Sequence, residues 1–262
     1  MDYSDDDVPA LSADTLSILQ SFYQEQKQKS SALDNFGEYK QQLAEKKLKP
    51  RSKKEASNGS SNDSVDGDST AEIIPTGMTF FQEDWQLSQF WYDTKTCDKM
   101  CSYAEESIRN GDMIIFISCP TAFVKFVEMY PDYSNVRLLE FDTRFAVFEE
   151  KYVRYDLNEP MELHGLDKLE NVHVGIIFVD PPFLNEDCLK KTMVSVKLLS
   201  SHNYNSDSNN KTKILLNTGA VMKPVAKEFG LYETNFLPTH SSGLSNVFYS
   251  YSNFETDSLK WV

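Results

Sequence analysis

Hydrophobic residues follow two alternating patterns from about Met78 onward. Short apolar runs, typical of strands buried on both faces, occur at 113–118 (MIIFIS), 136–141 (VRLLEF), 174–179 (VGIIFV) and 214–217, with a weaker run at 152–155. Apolar residues recur at helical spacing before, between and after these runs, at 94–109, 122–130, 186–199 and 222–229. Strands separated by helices predict a parallel sheet with helices on both faces.

Two more strands are expected near the end of the chain, at 232–237 and 246–251. Only a loop containing Gly and Ser joins them, with no helical pattern between. A connection this short cannot join parallel neighbours, so one of the two strands must run antiparallel. The pattern predicts an α/β fold with a seven-stranded sheet whose final strand pair is antiparallel.

The chain before this region has a different composition. A helix is expected after Ser12, and residues 25–54 are rich in Gln, Lys and Glu. Residues 52–70 (SKKEASNGSSNDSVDGDST) have almost no apolar side chains, so packing cannot offset the entropy of ordering them. We therefore predict an acidic, helical N-terminal extension at 1–51, a disordered linker at 52–75 and a folded domain at 76–262.

Charge and composition narrow the classes of function. The formal net charge is −14, which disfavours nucleic acid and favours a basic protein as partner. No window approaches the run of about 18–20 apolar residues that a membrane span needs, and the start MDYSDDDVP does not resemble a secretion signal. A cytoplasmic protein is expected. The four cysteines and four histidines lack zinc-site spacing, so no metal is predicted.

The most informative motif is Asp180-Pro181-Pro182-Phe183, which follows the strand at 174–179. Ligands of an open α/β sheet bind beyond the carboxyl ends of its strands. The two prolines fix the backbone and remove two donors, so the Asp180 carboxylate and nearby carbonyls remain acceptors. Such a set suits an amine whose lone pair faces an electrophile. As a structural alternative, Asp180 caps a helix and Phe183 enters the core.

Other candidate residues lie near the remaining strand ends. Glu140 and Asp142 follow the second strand, where carboxylates either accept from the hydroxyls of a ribose or face solvent. The first strand ends in small residues, including Ser118 and Cys119, that permit a close turn. The aromatic segment 85–92 (WQLSQFWY) is either a helix packed on the sheet edge or, through interleaved polar residues, one wall of a pocket.

Several motifs together resemble a known family. DPPF at the fourth strand resembles the (D/N/S)-P-P-(Y/F/W) motif of amino-group methyltransferases, which include N6-adenine enzymes. More narrowly, WQLSQFWY, EFDTRFAVF at 140–148, FVDPPFLNEDCLKKT at 178–192 and PALSADTLSILQSFYQEQKQ at 9–28 resemble the elongation factor 1-alpha lysine methyltransferases. The resemblance covers most of the chain apart from 52–70 and 200–212.

This resemblance implies a class I (Rossmann-like) methyltransferase fold, S-adenosylmethionine as cofactor and elongation factor 1-alpha as protein substrate. The implied catalytic residues are Asp180, Pro181, Pro182 and Phe183. The implied cofactor-binding residues are Glu140 and then Asp142 at the ribose, and Asp156 at the adenine amino group. From the residues themselves, Ser118 and Cys119 at the close turn are further cofactor-binding candidates, and Gln89 and Trp91 in the aromatic segment are candidates for contact with cofactor or substrate. The chain departs from class I enzymes in lacking G-x-G-x-G after its first strand.

Two alternatives remain open at this point. The same motif fits N6-adenine methylation of RNA or DNA, with Phe183 stacked on a flipped base, although the acidic charge counts against it. A degenerate methyltransferase fold that serves only as a binding module is the other alternative. The missing glycine motif is its support.

Overall fold

A computed structural model describes residues 75–163, 166, 172–201, 211–243 and 247–262, together with Tyr23, Lys27, residues 36–39 and Gln41. In this part of the chain, seven strands form one sheet in the order β3-β2-β1-β4-β5-β7-β6. The strands are β1 Met113–Ile117, β2 Val136–Glu140, β3 Tyr152–Arg154, β4 Val174–Val179, β5 Lys213–Gly219, β6 Tyr232–Glu233 and β7 Phe248–Ser252. Strands β1 to β5 pair in parallel, and β7 pairs antiparallel with both β5 and β6. The predicted seven-stranded sheet with an antiparallel final pair is confirmed.

Helices cover both faces of this sheet, as the fully buried strands β1 and β4 require. They are α1 Thr94–Tyr103, α2 Glu105–Asn110, α3 Pro120–Met129, α4 Glu186–Ser201 and α5 Lys223–Glu228. Phe116 of β1 and Phe178 of β4 face a cluster with α1 and α3, whereas their neighbours Ile115 and Ile177 face a second cluster with α4 and α5. Alternate residues of each central strand therefore enter separate hydrophobic cores. Short 3-10 helices lie at Thr76–Phe80, Trp85–Leu87, Thr143–Lys151 and Ala220–Met222.

Two segments differ from the sequence prediction. Residues 85–92 do not form a helix packed on the sheet edge, because the 3-10 turn ends at Ser88, whose φ of 53° is left-handed. The chain then continues without helical structure to a bridge between Tyr92 and His240. The strand expected at 232–237 is only two residues long, because Asn235 donates its amide to the Lys260 carbonyl instead.

Most of the predicted N-terminal extension and, apart from Pro75, the predicted disordered linker lie outside the described residues. One part of the extension nevertheless contacts the domain. Phe36 is 1% exposed, and its ring lies 5.6 Å from that of Phe81 and 4.9 Å from that of Phe148. Tyr39 donates a hydrogen bond to Glu128. The boundary at residue 76 stays a prediction, but this segment adds to the core. No helix among the described residues is long and apolar enough to cross a membrane.

Replacing Phe36 with alanine is expected to lower the free energy of unfolding by about 3 kcal/mol, because a buried aromatic ring is lost from a packed cluster. Chemical denaturation of the full chain measures this change. The control is Met161→Ala, since Met161 is 71% exposed. Equal stabilities of the two variants would show that Phe36 does not pack against the domain.

Candidate active site

A cavity of about 480 Å³ opens at the carboxyl ends of β1, β2, β3 and β4. Parallel strands bring their carboxyl ends to one edge of the sheet, so residues far apart in sequence meet there. The predicted site residues that line it are Gln89, Trp91, Ser118, Cys119, Glu140, Asp156, Asp180, Pro181, Pro182 and Phe183. Asp142, the remaining predicted site residue, does not line the cavity.

Asp180 lies directly after β4 and is held from two sides. Its amide donates to the Ile117 carbonyl at 3.0 Å, which continues the pairing of β4 with β1. Its Oδ2 atom accepts a hydrogen bond from the Tyr92 hydroxyl at 2.6 Å. Burial raises the pKa of the Asp180 carboxyl to about 7; the Tyr92 hydrogen bond lowers it and the negative Glu140 raises it. Asp180 therefore combines a raised carboxyl pKa with a fixed hydrogen-bond donor at the exit of β4.

Tyr92 and His240 both line the cavity, and sequence analysis missed them. The Tyr92 ring is 1% exposed and lies 4.7 Å from the His240 ring. Burial lowers the pKa of His240 to about 4, so the imidazole is neutral at physiological pH. Tyr92 belongs to the aromatic segment that we interpreted either as a helix packed on the sheet edge or as one wall of a pocket. However, nothing in the sequence relates it to Asp180, 88 residues later.

Glu140 is the last residue of β2 and lines the cavity while only 6% exposed. Its Oε1 atom accepts a hydrogen bond from the Asp142 amide at 3.0 Å. Burial raises the pKa of the Glu140 carboxyl to about 7, although this amide bond opposes the rise. Asp156, at the end of β3, accepts from the Asn158 amide at 2.9 Å. Two carboxyl groups thus face the half of the cavity opposite the β4 exit.

Unlike Glu140 and Asp156, Asp142 binds neighbouring protein side chains and does not line the cavity. Its carboxylate forms an ion pair with Arg144 at 2.6 Å and accepts from Gln89 Nε2 at 2.9 Å. Burial would raise the pKa of Asp142, but the hydrogen bonds from Arg144 and Gln89 lower it overall. The structure therefore does not bring Asp142 to the cavity. Its carboxylate instead caps the following 3-10 helix by accepting from the Arg144 amide.

Gln89 and Trp91 line the cavity, but their polar atoms are used elsewhere. The Gln89 amide bonds to Asp142 and Arg144, and the Trp91 indole donates to the Phe81 carbonyl at 3.0 Å. Their contribution to the cavity wall is therefore chiefly shape and apolar surface.

The turn after β1 explains how this chain dispenses with glycine. Ser118 has a φ of 54°, in the left-handed region that glycine adopts without strain. Its amide donates to the Leu139 carbonyl at 2.9 Å, which ties the turn to β2. Cys119 follows as the N-cap of α3, with Pro120 in the first turn of the helix. Ser118 thus adopts, without glycine, the left-handed backbone conformation that glycine favours.

The charge of the cavity is negative. Glu140, Asp156 and Asp180 line it, whereas no lysine or arginine does so among the residues that the structure describes. The one histidine in its wall, His240, is neutral. A ligand with positive charge therefore fits this cavity better than one with phosphate groups. In the same part of the chain, no group of three or more His, Cys, Asp and Glu side chains is arranged to hold a metal ion.

Comparison with known proteins shows which family this chain is similar to. The family model described as "Probable N6-adenine methyltransferase" matches residues 83–256. EEF1A lysine methyltransferase 1 of Mus musculus is 32% identical over 96% of this chain and 95% of its own length. The protein of the same name from Gallus gallus is 34% identical over 97% and 98% of the two chains. Protein-lysine N-methyltransferase EFM5 of Saccharomyces cerevisiae is 34% identical over 76% and 84%.

Ser118→Gly is expected to leave the free energy of unfolding within about 1 kcal/mol of the wild type, because relief of left-handed strain offsets the added freedom of the unfolded chain. Ser118→Val is expected to lower it by about 1–2 kcal/mol, because a β-branched side chain is strained in this conformation. Chemical denaturation compares the two variants. If valine were tolerated as well as glycine, the left-handed turn would not exist.

Proposed function

Since the chain belongs to the EEF1A lysine methyltransferase family, we propose that it transfers a methyl group from S-adenosylmethionine to a lysine of EEF1A. The observation that carries the proposal is the acidic cavity around Asp180. Three carboxyl groups line it, and none of the lining side chains in the described part of the chain is a lysine or arginine. A lysine side chain brings positive charge to such a site, and burial there favours its conversion to the neutral amine.

The lining residues fit the cofactor. The cavity volume of about 480 Å³ is in the usual range for small-molecule sites, about 300–1,000 Å³. Glu140 offers a carboxylate for the ribose hydroxyls, and Asp156 offers one for the adenine amino group. The left-handed turn at Ser118 lets the backbone approach the methionine part. When bound, the cofactor supplies an electrophilic methyl group on a positively charged sulfonium, a charge that the acidic cavity also favours.

The acceptor lysine reaches the other half of the cavity, beside Asp180. A lysine ammonium has a pKa of about 10.4 in water and carries no lone pair, so it must lose a proton before transfer. Asp180, whose pKa is near 7, receives this proton and later releases it to solvent. The amine beside Asp180 would then carry the free lone pair that the methyl group of bound S-adenosylmethionine would require of its acceptor.

Two further groups complete the acceptor half of the cavity. The Pro181 carbonyl orients the amine together with Asp180. Phe183 is 43% exposed at the wall of the cavity, where its ring excludes water and packs against the lysine stem. Most of the rate then comes from positioning and from the removal of water.

N6-adenine methylation is the second candidate, favoured by the description of the matching family model and by the DPPF motif. An adenine amino group is neutral and needs no acidic surroundings. Proteins that bind nucleic acid hold phosphates with Lys and Arg, which are missing from the described cavity wall.

We also propose that the catalytic domain comprises residues 76–262 and that the protein is located in the cytoplasm.

Asp180→Ala is expected to reduce methyl transfer to EEF1A by at least about a hundredfold, while the Kd for the cofactor changes little, because Asp180 contacts the acceptor amine. Glu140→Ala should show the opposite pattern, with cofactor affinity weaker by about 1–3 kcal/mol through loss of a charged acceptor. Mass spectrometry of EEF1A measures transfer, and calorimetry measures the Kd.

Asp187→Ala is the matched control, because it removes an exposed carboxylate from α4 outside the cavity. It is expected to change neither quantity. Full transfer activity in Asp180→Ala would place the reactive centre elsewhere, and wild-type protein without any heat of cofactor binding would overturn the enzyme proposal.

A further inference from the structure

We propose that Tyr92 is a positioning residue for methyl transfer: its hydroxyl, oriented by Asn217 and Ser250, fixes Oδ2 of Asp180 so that Oδ1 remains directed at the acceptor amine. The proposal rests on the function proposed above for Asp180. It assigns a role to residues from the N-terminal side of α1, from β5 and from β7, none of which belongs to the DPPF motif.

Three hydrogen bonds lead from Ser250 of β7 to Asp180, and in each of them the donor is the residue farther from Asp180. Ser250 Oγ donates to Asn217 Oδ1 at 2.6 Å, and Asn217 Nδ2 lies 3.2 Å from the Tyr92 hydroxyl. Because the Asn217 oxygen accepts from Ser250, its amide nitrogen is the atom left to donate to Tyr92. The Tyr92 hydroxyl therefore accepts from Asn217 and directs its own proton to Asp180 at 2.6 Å. Asn217 and Ser250 are completely buried, so water does not compete for these bonds.

The Tyr92 ring and backbone are fixed as well. The ring packs against His240, and an antiparallel bridge joins the backbones of the same two residues. On either side of this bridge, the Asp93 amide donates to the Thr239 carbonyl and the Ser241 amide donates to the Trp91 carbonyl, at 3.0 and 2.9 Å. Tyr92 is thus held by its main chain, its ring and its hydroxyl. A side chain restrained in this way can fix the carboxylate that it contacts.

The consequence for the reaction is geometric and electrostatic. A carboxylate that can rotate presents either oxygen to the amine, whereas one whose Oδ2 is held presents the other oxygen in a constant position. The Tyr92 donor also stabilises the ionised form of Asp180, the form that accepts a proton. The other titratable groups that interact with Asp180 in the described part of the chain are Glu140 and Cys119; His240 contacts the Tyr92 ring, and Asp93 interacts with His240.

Titration of the Asp180 carboxyl by carbon-13 NMR tests the positioning without any substrate. In Tyr92→Phe, the pKa of Asp180 is expected to lie about 1 above its wild-type value, because a hydrogen bond to the charged form is lost. Tyr251→Phe is the matched control. It removes another buried tyrosine hydroxyl, on β7 next to Ser250, from a residue that does not line the cavity. An unchanged Asp180 pKa in Tyr92→Phe, or an equal rise in Tyr251→Phe, would overturn the proposal.

The pH dependence of methyl transfer provides the second measurement. Tyr92→Phe is expected to lower kcat at least tenfold, leave the cofactor Kd unchanged and move the acidic limb of kcat/KM to higher pH. If the Tyr92→Phe variant has no cooperative thermal transition, Ser250→Ala is used in its place. In Ser250→Ala, the acidic limb of kcat/KM is expected to move to higher pH by a smaller amount. A normal pH profile in both variants contradicts the positioning role. Wild-type protein that titrates as expected but methylates no EEF1A refutes the proposed function instead, and leaves the contact with Tyr92 intact.

Discussion

The hydrogen bond between Tyr92 and the partly buried carboxyl of Asp180 is the contact around which the site is built. A carboxyl group removed from water is costly when ionised, which is why the pKa of Asp180 rises to about 7. A fixed donor limits this rise without supplying a positive charge that would neutralise the site. In our proposal, the result is a group that binds a cation, accepts a proton near neutral pH and keeps a constant position.

The antiparallel end of the sheet makes that contact possible. The register of β5 against β7 places Asn217 opposite Ser250, and their side chains form the buried bond that orients Tyr92. The segment that carries Tyr92 pairs in turn with the chain around His240, between β6 and β7. Residues that bind the cofactor in our proposal come from the parallel half of the sheet, whereas the support for Asp180 comes from the antiparallel half. One cavity therefore depends on both halves.

Much of this fold could be predicted from apolar runs, because a strand buried on both faces has a sequence pattern that surface structure does not share. The candidates at strand ends followed from the same logic, and the cavity contains Glu140, Asp156 and Asp180 as expected. Asp142 shows the limit of predicting site residues from their position at a strand end. It is also a carboxylate near the end of β2, two residues past Glu140, but its side chain is paired with Arg144 and does not line the cavity.

The other features of the site could not be predicted from the sequence, because they depend on packing between residues far apart in the chain. Tyr92 and Asn217 are 125 residues apart, and no periodicity connects them. The left-handed backbone of Ser118 was equally unreadable, because serine seldom adopts it and only the surrounding turn imposes it. The absence of a glycine motif was the support for a degenerate fold as an alternative, whereas the turn itself has the left-handed backbone that glycine favours.

The central claim is that the acidic cavity selects a lysine and not a nucleobase as acceptor. The most direct measurement offers both acceptors at once: labelled S-adenosylmethionine with an equimolar mixture of purified EEF1A and adenine-containing RNA and DNA, followed by separate protease and nuclease digestion. The account predicts that the label is released by protease and resists nuclease. Label that is released by nuclease and resists protease would contradict it.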